Sequence, residues 1–339
     1  MNTKLFAISV LTASLLSACG GGGSASSTPP VSQSCTNGAT DYPTCTPGVT
    51  PESLQTTVPV PSYAQGTEEI VAFDEFNNFR VSMRLGKVAE SFPLSTSSKN
   101  HAVYVVTYQS FTHTEDPNKL GFTGITPNDR ALFAGYSGGN VGEMIGGSGG
   151  SIGVRGLMNT LYHRDGITTQ QVTDIGISFN PAWSAPLVIE NGLGKGQHNA
   201  SNFLTMYPVD GQVDVPLVMY PETPNPLPDL DLYSADYVTK TSSPVSFYSV
   251  AGSTLSVSSF TITENGQSLP LDMRLITFSN DTNKMLQPHV AHLVGKAPFK
   301  QNTKYNVSFA GSVNGASVAK TWSFITGTSL NIGGGAKKP

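Results

Sequence analysis

The spacing of hydrophobic and polar positions changes along the chain and predicts two folded parts of different classes. Between about 68 and 210, helical and strand patterns alternate. In "SSKNHAVYVVTYQSF", apolar residues at 104, 105, 108 and 111 fit one helical face, although the β-branched residues there favour a strand. We interpret this stretch as a helix. A second helix is predicted to begin after Thr126 as N-cap, with Pro127 at the first helical position and Asp129 in the first turn.

The rest of this first part continues the mixed pattern. Residues 151–161, within "GGSIGVRGLMNTLYHR", are predicted to form a helix. The segments "QVTDIGISF" and "PLVIEN" that follow are predicted to be strands. We therefore expect a folded domain over 67–210 that contains both helices and strands.

From about 215 the pattern becomes that of an all-β structure. The segment "YPETPNPLPD" carries four prolines in eight residues and cannot form the interior of a helix. Alternating apolar and polar residues follow, with turns at Asn265-Gly266 and Asn314-Gly315 that suit a type I′ hairpin. Trp322 and Phe324 lie two apart in a predicted strand, so both side chains should face the core. This pattern predicts a β-sandwich over 215–327.

The first residues predict export and lipidation. A short polar start, "MNTK", precedes "LFAISVLTASLL", an apolar run of signal-peptide length that is too short to span a bilayer. The following "LSAC" resembles the lipobox of bacterial lipoproteins, which implies a signal peptide over 1–18 and acylation of Cys19. The alternative is an ordinary cleaved secretory signal. Because Gly20 is not an aspartate, the resemblance implies the outer membrane of a Gram-negative cell, with the acyl group as the membrane contact.

The composition of the flanking segments predicts a tether and a tail. Residues 19–66 are rich in Gly, Ser, Thr and Pro and are expected to be flexible, with ordered structure beginning near Glu68. Cys35 and Cys45 are expected to form a disulfide in an oxidising compartment, although two free thiols are the alternative. Residues 328–339 are expected to be a disordered tail.

The number and distribution of charged residues limit the kinds of partner that are expected. The 19 Lys and Arg residues against 23 Asp and Glu residues give a net charge of −4, with no basic run beyond "KK" near the end. A surface that follows nucleic acid phosphates needs clustered Lys and Arg, so nucleic acid is not expected as a partner. Only 12% of residues are charged, which together with many Ser, Thr and Asn residues is typical of an extracytoplasmic, strand-rich protein.

Chemistry-bearing residues in the first part are few. The candidates for a cleft are His101, His113, Glu115, Glu143, His163 and Arg164. His113, Glu143 and His163 form a two-histidine, one-carboxylate set that suits zinc with an open position, and they are also the candidate catalytic residues. The sequence has no HExxH motif, so no local spacing places these three side chains together. Taken singly, each histidine is as well explained as a surface or capping residue.

The spacing of other candidates adds constraints. His113 and Glu115 can point to the same side only in extended chain, so the preceding helix must end near Phe111. Ser110 is a possible nucleophile only because it is near His113. His289 and His292 are interpreted as strand-edge or turn residues rather than ligands.

Taken in order, these segments resemble a known family. "NHAVYVVTYQSFTHTED", "GFTGITPNDRALFAGY", "VGEMIGG" and "LMNTLYHRDGI" are similar to the bacterial branch of the CAP superfamily, also called SCP-like, which includes cysteine-rich secretory, allergen and pathogenesis-related proteins. The resemblance implies an α-β-α sandwich with His113, Glu143 and His163 in one open cleft. Met144 replaces the asparagine of the family's "GEN" motif, and a second cavity glutamate is missing, for which Glu115 is a candidate. Residues 215–327 resemble bacterial Ig-like modules.

These observations leave three functions open. The resemblance favours a surface-anchored, non-enzymatic binding module, whose cleft would hold zinc or another divalent metal, or a lipid or sterol. The second possibility is a metal-dependent hydrolase resembling a protease, with an imidazole as general base. The third is a purely structural or adhesive envelope protein.

Overall fold

The computed structural model describes residues 52–194 and 196–328. The signal peptide, Cys19, the Cys35–Cys45 pair and nearly all of the tail lie outside the described residues. The first part of the chain contains five helices and four strands. They are α1 (Glu68–Ser82), β1 (Ala89–Glu90), α2 (Phe92–Tyr108), α3 (Pro127–Phe133), β2 (Val141–Gly146), α4 (Gly150–Met158), α5 (Tyr162–Thr168), β3 (Asp174–Phe179) and β4 (Leu187–Gly192).

These elements form three layers around one sheet. The strand order is β1-β3-β4-β2, with β1 parallel to β3 and the other pairs antiparallel. Helix α2 packs on one face of β3 and β4, whereas α1 packs on β3 and α4 on β2 from the opposite face. The expected mixture of helices and strands is therefore confirmed, and the sheet lies between helical layers.

The start and end of α2 and α3 follow from local chemistry. Helix α2 begins at Phe92, earlier than the apolar pattern indicated, and ends where Gln109 adopts a left-handed φ of 51°. Thr126 caps α3 as predicted, since its side chain accepts from the Asp129 N–H at 3.3 Å and the Asp129 carboxylate accepts from the Thr126 N–H at 2.9 Å. Both helices therefore end or begin at defined positions next to the segment 109–126.

The helix expected over 151–161 is wrong in extent. The structure divides this region into α4, which ends at Met158, and α5, which begins at Tyr162. The carboxylate of Glu222 accepts hydrogen bonds from the N–H groups of Leu161 and Tyr162, at 2.6 and 3.1 Å. A new helix start is stabilised here because a distant carboxylate satisfies its free N–H groups.

One hydrophobic core fills the space between the sheet and the layer of α1 and α4. Phe73 and Phe76 of α1 and Leu157 of α4 pack against Ile177 and Ile189 of the sheet, all nearly or fully buried. Fully burying side chains of this size contributes about 1.5–3 kcal/mol each. The opposite face of the sheet is more polar, and it carries the candidate site.

The second part of the chain contains eight strands and one short helix. They are β5 (Leu204–Tyr207), β6 (Gln212–Val215), α6 (Asp236–Thr239), β7 (Val245–Ser249), β8 (Leu255–Glu264), β9 (Met273–Thr277), β10 (Val290–Gly295), β11 (Lys304–Val313) and β12 (Ala316–Thr326). They form two four-stranded sheets, β5-β7-β10-β9 and β6-β12-β11-β8. Because β5 begins at Leu204, these sheets start inside the range expected for the first part, before 215.

Aromatic side chains fill the space between the two sheets. The rings of Phe247 and Phe309 stack with centroids 3.8 Å apart, and Trp322 and Phe324 are buried in the same core, as their spacing predicted. Asn314 and Gly315 have φ values of 49° and 85° at the tight turn between β11 and β12. This hairpin is confirmed, whereas an Ig-like relationship stays a prediction.

The expected start of ordered structure at Glu68 is wrong, because the described end of the expected tether packs on the first part. Ser53 forms a β-bridge with His198, and the Gln55 side chain donates to the carbonyls of Lys87 and Thr173, both at 3.0 Å.

Among the residues that the structure describes, no helix is long and apolar enough to cross a bilayer.

Candidate functional site

A buried group of charged side chains lies between the sheet and the layer of α2 and α3. The side chains of His101, Glu115, Arg130, Glu143 and Glu190 are all fully buried. They come from α2, the segment after it, α3, β2 and β4, respectively. We call these five residues the charged cluster.

The end of α2 at Tyr108 brings the first members together. The chain continues in extended form, as the pairing of the Glu115 N–H with the Ile125 carbonyl at 3.1 Å shows. His101, seven residues before the end of α2, reaches Glu115 with an Nδ1–Oε1 distance of 2.9 Å. The predicted helix end before His113 is therefore confirmed, but the partner of Glu115 is His101 rather than His113.

Both ring nitrogens of His101 face acceptors. Nδ1 lies against the Glu115 carboxylate, and Nε2 lies 2.7 Å from the Thr112 carbonyl oxygen. Each ring nitrogen therefore has an oxygen partner, and the ring is held from both sides.

Glu115 is held in its ionised form. Burial raises its pKa, but the His101 hydrogen bond, the Thr123 N–H and the Arg130 guanidinium outweigh it, so that the pKa lies below the ordinary value. The Thr123 N–H donates to Oε2 at 2.8 Å. Glu115 and His101 thus form a buried hydrogen-bonded pair.

Glu143 connects the charged cluster to the surface. Its Oε1 bonds to Nδ1 of His113 at 2.8 Å, and its Oε2 accepts from Nη2 of Arg130. The His113 side chain is 47% exposed, while that of Glu143 is fully buried. Arg130 also donates through Nη1 to the His113 carbonyl oxygen at 3.1 Å, so it fixes both the loop and the carboxylate.

Glu190 is the third carboxylate beside Arg130. It is the direct cross-strand partner of Glu143 in the pairing of β2 with β4. Ser97 donates to its Oε1 at 2.9 Å, whereas Oε2 is buried without a hydrogen-bond partner among the described residues. Burial, reinforced by the negative charge of Glu143, raises the pKa of Glu190 to about 8. Near neutral pH this carboxyl is therefore mostly protonated.

His163 and Arg164 do not join this cluster. The structure pairs His163 Nδ1 with Glu222 Oε2 at 2.9 Å. Their helix, α5, lies against the other face of the sheet, since Gly166 approaches the sulfur of Met144 and successive strand residues point to opposite faces. The expected convergence of His113, Glu143 and His163 is therefore corrected to His113 and Glu143 alone.

Arg164 joins the two parts of the chain instead of lining a cleft. Its fully buried guanidinium donates through Nη1 to the Pro244 carbonyl and to Ser246 Oγ, both at 2.7 Å. Ser246 in turn lies 2.7 Å from Nδ1 of the buried His292, whose Nε2 is 3.3 Å from Asp165. His292 is thus a buried link between the sandwich and α5, not the strand-edge or turn residue that was expected.

The charged cluster does not fit a zinc site. Across residues 52–194 and 196–328, no three or more His, Cys, Asp or Glu side chains are grouped so that they could hold a metal ion. Both oxygens of Glu143 are already engaged, one by His113 and one by Arg130. The guanidinium therefore supplies the positive charge that a divalent ion would bring.

Sequence reasoning missed three residues that matter here, Arg130, Glu190 and Glu222. A usable signal existed for Glu190, because a carboxylate inside the apolar strand "PLVIEN" is expensive to bury without a partner. Glu222 lies in the proline-rich segment, about 60 residues from the N–H groups that it accepts from, and nothing in the local pattern pointed to it.

Part of the chain is similar to solved structures of extracellular and surface proteins. No protein-family model matches the sequence, and no curated protein matches it. Part of the chain is similar to an extracellular protein containing an SCP domain from Bacillus anthracis str. Ames, with 19% identity and a TM-score of 0.32 over 37% of this chain and 40% of that chain. It is also similar to an outer surface protein from Borrelia burgdorferi, with 17% identity and a TM-score of 0.34 over 38% of this chain and 95% of that chain.

Proposed function

We propose that the chain is an extracytoplasmic, CAP-like binding module that takes a ligand with a polar head and an apolar body. The polar head would bind at His113, the exposed member next to the buried Glu143 and Arg130. The apolar body would lie on exposed apolar side chains of the surrounding layer. Placement outside the cytoplasm and anchoring through Cys19 rest on the amino-terminal sequence pattern alone.

The geometry of His113 carries this proposal. Glu143 bonds Nδ1, which leaves Nε2 as the ring nitrogen that can meet a ligand. The buried Arg130–Glu143 pair holds the carboxylate in place, so the imidazole is oriented before a ligand arrives. Pre-orientation lowers the entropic cost of binding.

The same layer carries several exposed apolar side chains. Large hydrophobic side chains that are exposed occur on α2, α3 and the segment between them, namely Val103, Phe111, Leu120, Ile125, Leu132 and Phe133. Leu120 is 91% exposed and Phe133 is 68% exposed. A contiguous apolar patch on this layer would suit contact with a lipid or another apolar ligand, and the proposal places the apolar body there.

The test is direct binding of lipid probes to the full chain with Cys19→Ser, which removes the acylation site. A fluorescent sterol and a fluorescent fatty acid would be titrated as monomers, by fluorescence. Replacing both Leu132 and Phe133 by Ser should weaken binding by about tenfold or more, since each buried side chain contributes on the order of 1–2 kcal/mol. His113→Ala should weaken the fatty acid selectively.

A control variant distinguishes binding at this surface from nonspecific binding to exposed apolar side chains. Leu269 in the second part is 79% exposed, so Leu269→Ser removes a comparable apolar group far along the chain. This variant should bind both probes like the parent. The lipid-binding proposal is refuted if neither probe binds, or if Leu269→Ser loses as much affinity as the Leu132 and Phe133 double variant. Either result would favour a structural or adhesive role.

The pairing of Glu143 with His113 supports a second candidate, hydrolysis. A carboxylate that holds Nδ1 leaves Nε2 free to take a proton from water, as in enzymes where an acid orients a histidine base. Within the described chain, no hydrogen bond links Ser110 Oγ to His113, so water is the nucleophile that this arrangement can activate. Turnover of peptide or ester substrates that disappears in Glu143→Gln would support hydrolysis, and turnover that survives would exclude this pair.

A further inference from the structure

Strand β2 forms one outer edge of the first sheet. It pairs with β4 on one side, and no strand pairs with its other side among the described residues. The edge of a sheet presents backbone N–H and C=O groups that can pair with another chain, and many proteins protect such edges with Lys, Pro or a bulge. The β2 sequence "VGEMIG" contains neither Lys nor Pro, and its register with β4 is continuous. None of these three features therefore protects β2.

The strand pairing determines which backbone groups of β2 point outward. In an antiparallel pair, hydrogen-bonded positions alternate along each strand. The Asn180 N–H donates to the Pro186 carbonyl at 3.0 Å, so the backbone of Glu190, four positions after Pro186, also points toward β3. Glu143 lies directly opposite Glu190 and therefore points its own N–H and C=O away from β4. Ile145, two positions further on, does the same.

Two observations agree with this direction. Asn128 Oδ1 accepts from the Val141 N–H at 2.7 Å, so a side chain from outside the sheet already bonds to the first outward N–H group of the edge. The side chain of Glu143 is fully buried, whereas the residue as a whole is partly exposed, so its exposed atoms belong to the backbone. The outer edge of β2 is therefore accessible from Glu143 onward.

Backbone groups in this arrangement are the complement of an extended polypeptide. Each outward residue offers one donor and one acceptor, and the pattern repeats every second residue, about 7 Å apart. A peptide that extends a sheet at its edge binds through these main-chain hydrogen bonds, while pockets for its alternate side chains give specificity. The edge thus identifies a class of ligand by its backbone.

Gly142 adds a preference among peptides. It is exposed, and a Cβ added there would meet no atom within 4 Å, so the space above it is open. A bulky apolar side chain directly across from a glycine can cover its backbone. In the antiparallel registers that keep the Val141–Asn128 bond, a second copy of β2 would place Gly146 or Ser148 opposite Gly142. Neither residue supplies such a side chain, so a different sequence fits better.

We propose that the outer edge of β2 is a docking site for an extended peptide segment of another protein. The peptide pairs with the backbone of Glu143 and Ile145 and places a bulky apolar side chain opposite Gly142. The one charged side chain of β2, Glu143, is already buried against Arg130, so covering the edge removes no exposed carboxylate from water. This site goes beyond the lipid-binding proposal, which concerns exposed side chains of α2, α3 and the segment between them.

The first measurement is amide hydrogen exchange, followed by NMR, of the full chain with Cys19→Ser. The N–H groups of Glu143 and Ile145 should exchange rapidly, while that of Met144, which faces β4, should be protected. Slow exchange of both outward groups at every protein concentration would overturn the proposal, because the edge would already be covered. Protection that appears only at high protein concentration would also overturn it and would assign the edge to a second copy.

The second measurement is selection from a displayed library of randomised short linear peptides on the same protein. The selected peptides should share a bulky apolar position, and their binding should protect the amides of Glu143 and Ile145. An absence of binders, or binders that leave both amides unprotected, would overturn the proposal. Gly142→Val fills the open space and should weaken the selected peptides by about tenfold. Unchanged affinity in this variant would contradict the place given to the apolar side chain.

Ile145→Pro and Ile145→Ala form a matched pair for the backbone contact. Both remove the isoleucine side chain, but only proline removes the outward N–H, and proline is tolerated at edge positions of this kind. Ile145→Pro should weaken the selected peptides by about tenfold or more, and Ile145→Ala by much less, since one backbone hydrogen bond is lost only in the first. Equal losses in the two variants would overturn the proposed backbone pairing.

N-methylation of a selected peptide, one position at a time, tests the pairing without any change in the protein. Affinity should be lost only at every second position, where the peptide N–H faces β2. Losses without this alternation would overturn the proposal, even if Ile145→Pro does not fold. No lipid is used, so the result is independent of the lipid titration, and failure of either proposal leaves the other standing.

Discussion

Replacing Glu190 by Gln should stabilise the protein at alkaline pH. The side chain is fully buried, and its pKa rises from 4.5 to about 8 on folding. At about 1.4 kcal/mol for each pKa unit, this rise corresponds to a stability difference of at most about 5 kcal/mol. Glutamine has nearly the same shape and keeps an acceptor for Ser97, so it fits the same space without a charge.

The direction of the effect follows from proton linkage. Between about pH 4.5 and 8 the folded state keeps the Glu190 proton that the unfolded state has lost, so this residue makes stability fall as pH rises through that window. Above about pH 8 the folded state is destabilised by the full amount, and below about pH 4.5 Glu190 causes no such loss of stability. The gain in Glu190→Gln should therefore be small near pH 5 and largest near pH 9.

Urea denaturation followed by far-UV circular dichroism at these two pH values measures the difference. The control is Glu52→Gln, which makes the same chemical change at an exposed position and should leave both values unchanged. If Glu190→Gln gives the same change in unfolding free energy at about pH 5 and pH 9, the assignment of a neutral, buried Glu190 is refuted.

Three other substitutions have defined consequences, each measurable by urea denaturation. Arg130→Met removes the cation shared by buried carboxylates and should cost about 3–5 kcal/mol, with partial rescue by Arg130→Lys. Asp281 accepts from the Tyr162 hydroxyl at 2.6 Å and has a lowered pKa, so Asp281→Asn should cost about 1–3 kcal/mol at neutral pH and less as pH falls through that pKa. Phe247→Ala removes a ring stacked on Phe309 and should cost about 3–5 kcal/mol. Losses below 1 kcal/mol would contradict each assignment.

Features set by neighbouring residues could be predicted from the sequence. The start of α3 involves Thr126 and Asp129, three positions apart; Thr126 was predicted as the N-cap with Asp129 in the first turn, and the structure adds the return bond of a capping box. The turn at Asn314-Gly315 depends on two residues that adopt positive φ readily, and it joins the strands that alternation had indicated. In both cases the residues that determine the structure lie within a few positions of one another in the sequence.

Features set by distant residues could not be predicted. The break between α4 and α5 involves Glu222, whose carboxylate comes from about 60 residues further along the chain to meet the N–H groups of Leu161 and Tyr162. The same carboxylate bonds to His163, so that this side chain lies away from the predicted cleft. Alternation and capping rules do not contain such pairings, because they describe the chain a few residues at a time.

The position of Arg130 explains why the candidate site differs from the metal site that the sequence suggested. A two-histidine, one-carboxylate set matches the ligands of a zinc site with an open position, which is why the sequence suggested zinc. In the structure, the guanidinium lies within 4 Å of Glu115 and Glu190 and bonds to Glu143 directly. A fixed side-chain cation of this kind is present at all metal concentrations, so the orientation of His113 depends on folding rather than on metal supply. With Nδ1 bonded to Glu143, Nε2 of His113 is available for hydrogen bonding or proton transfer.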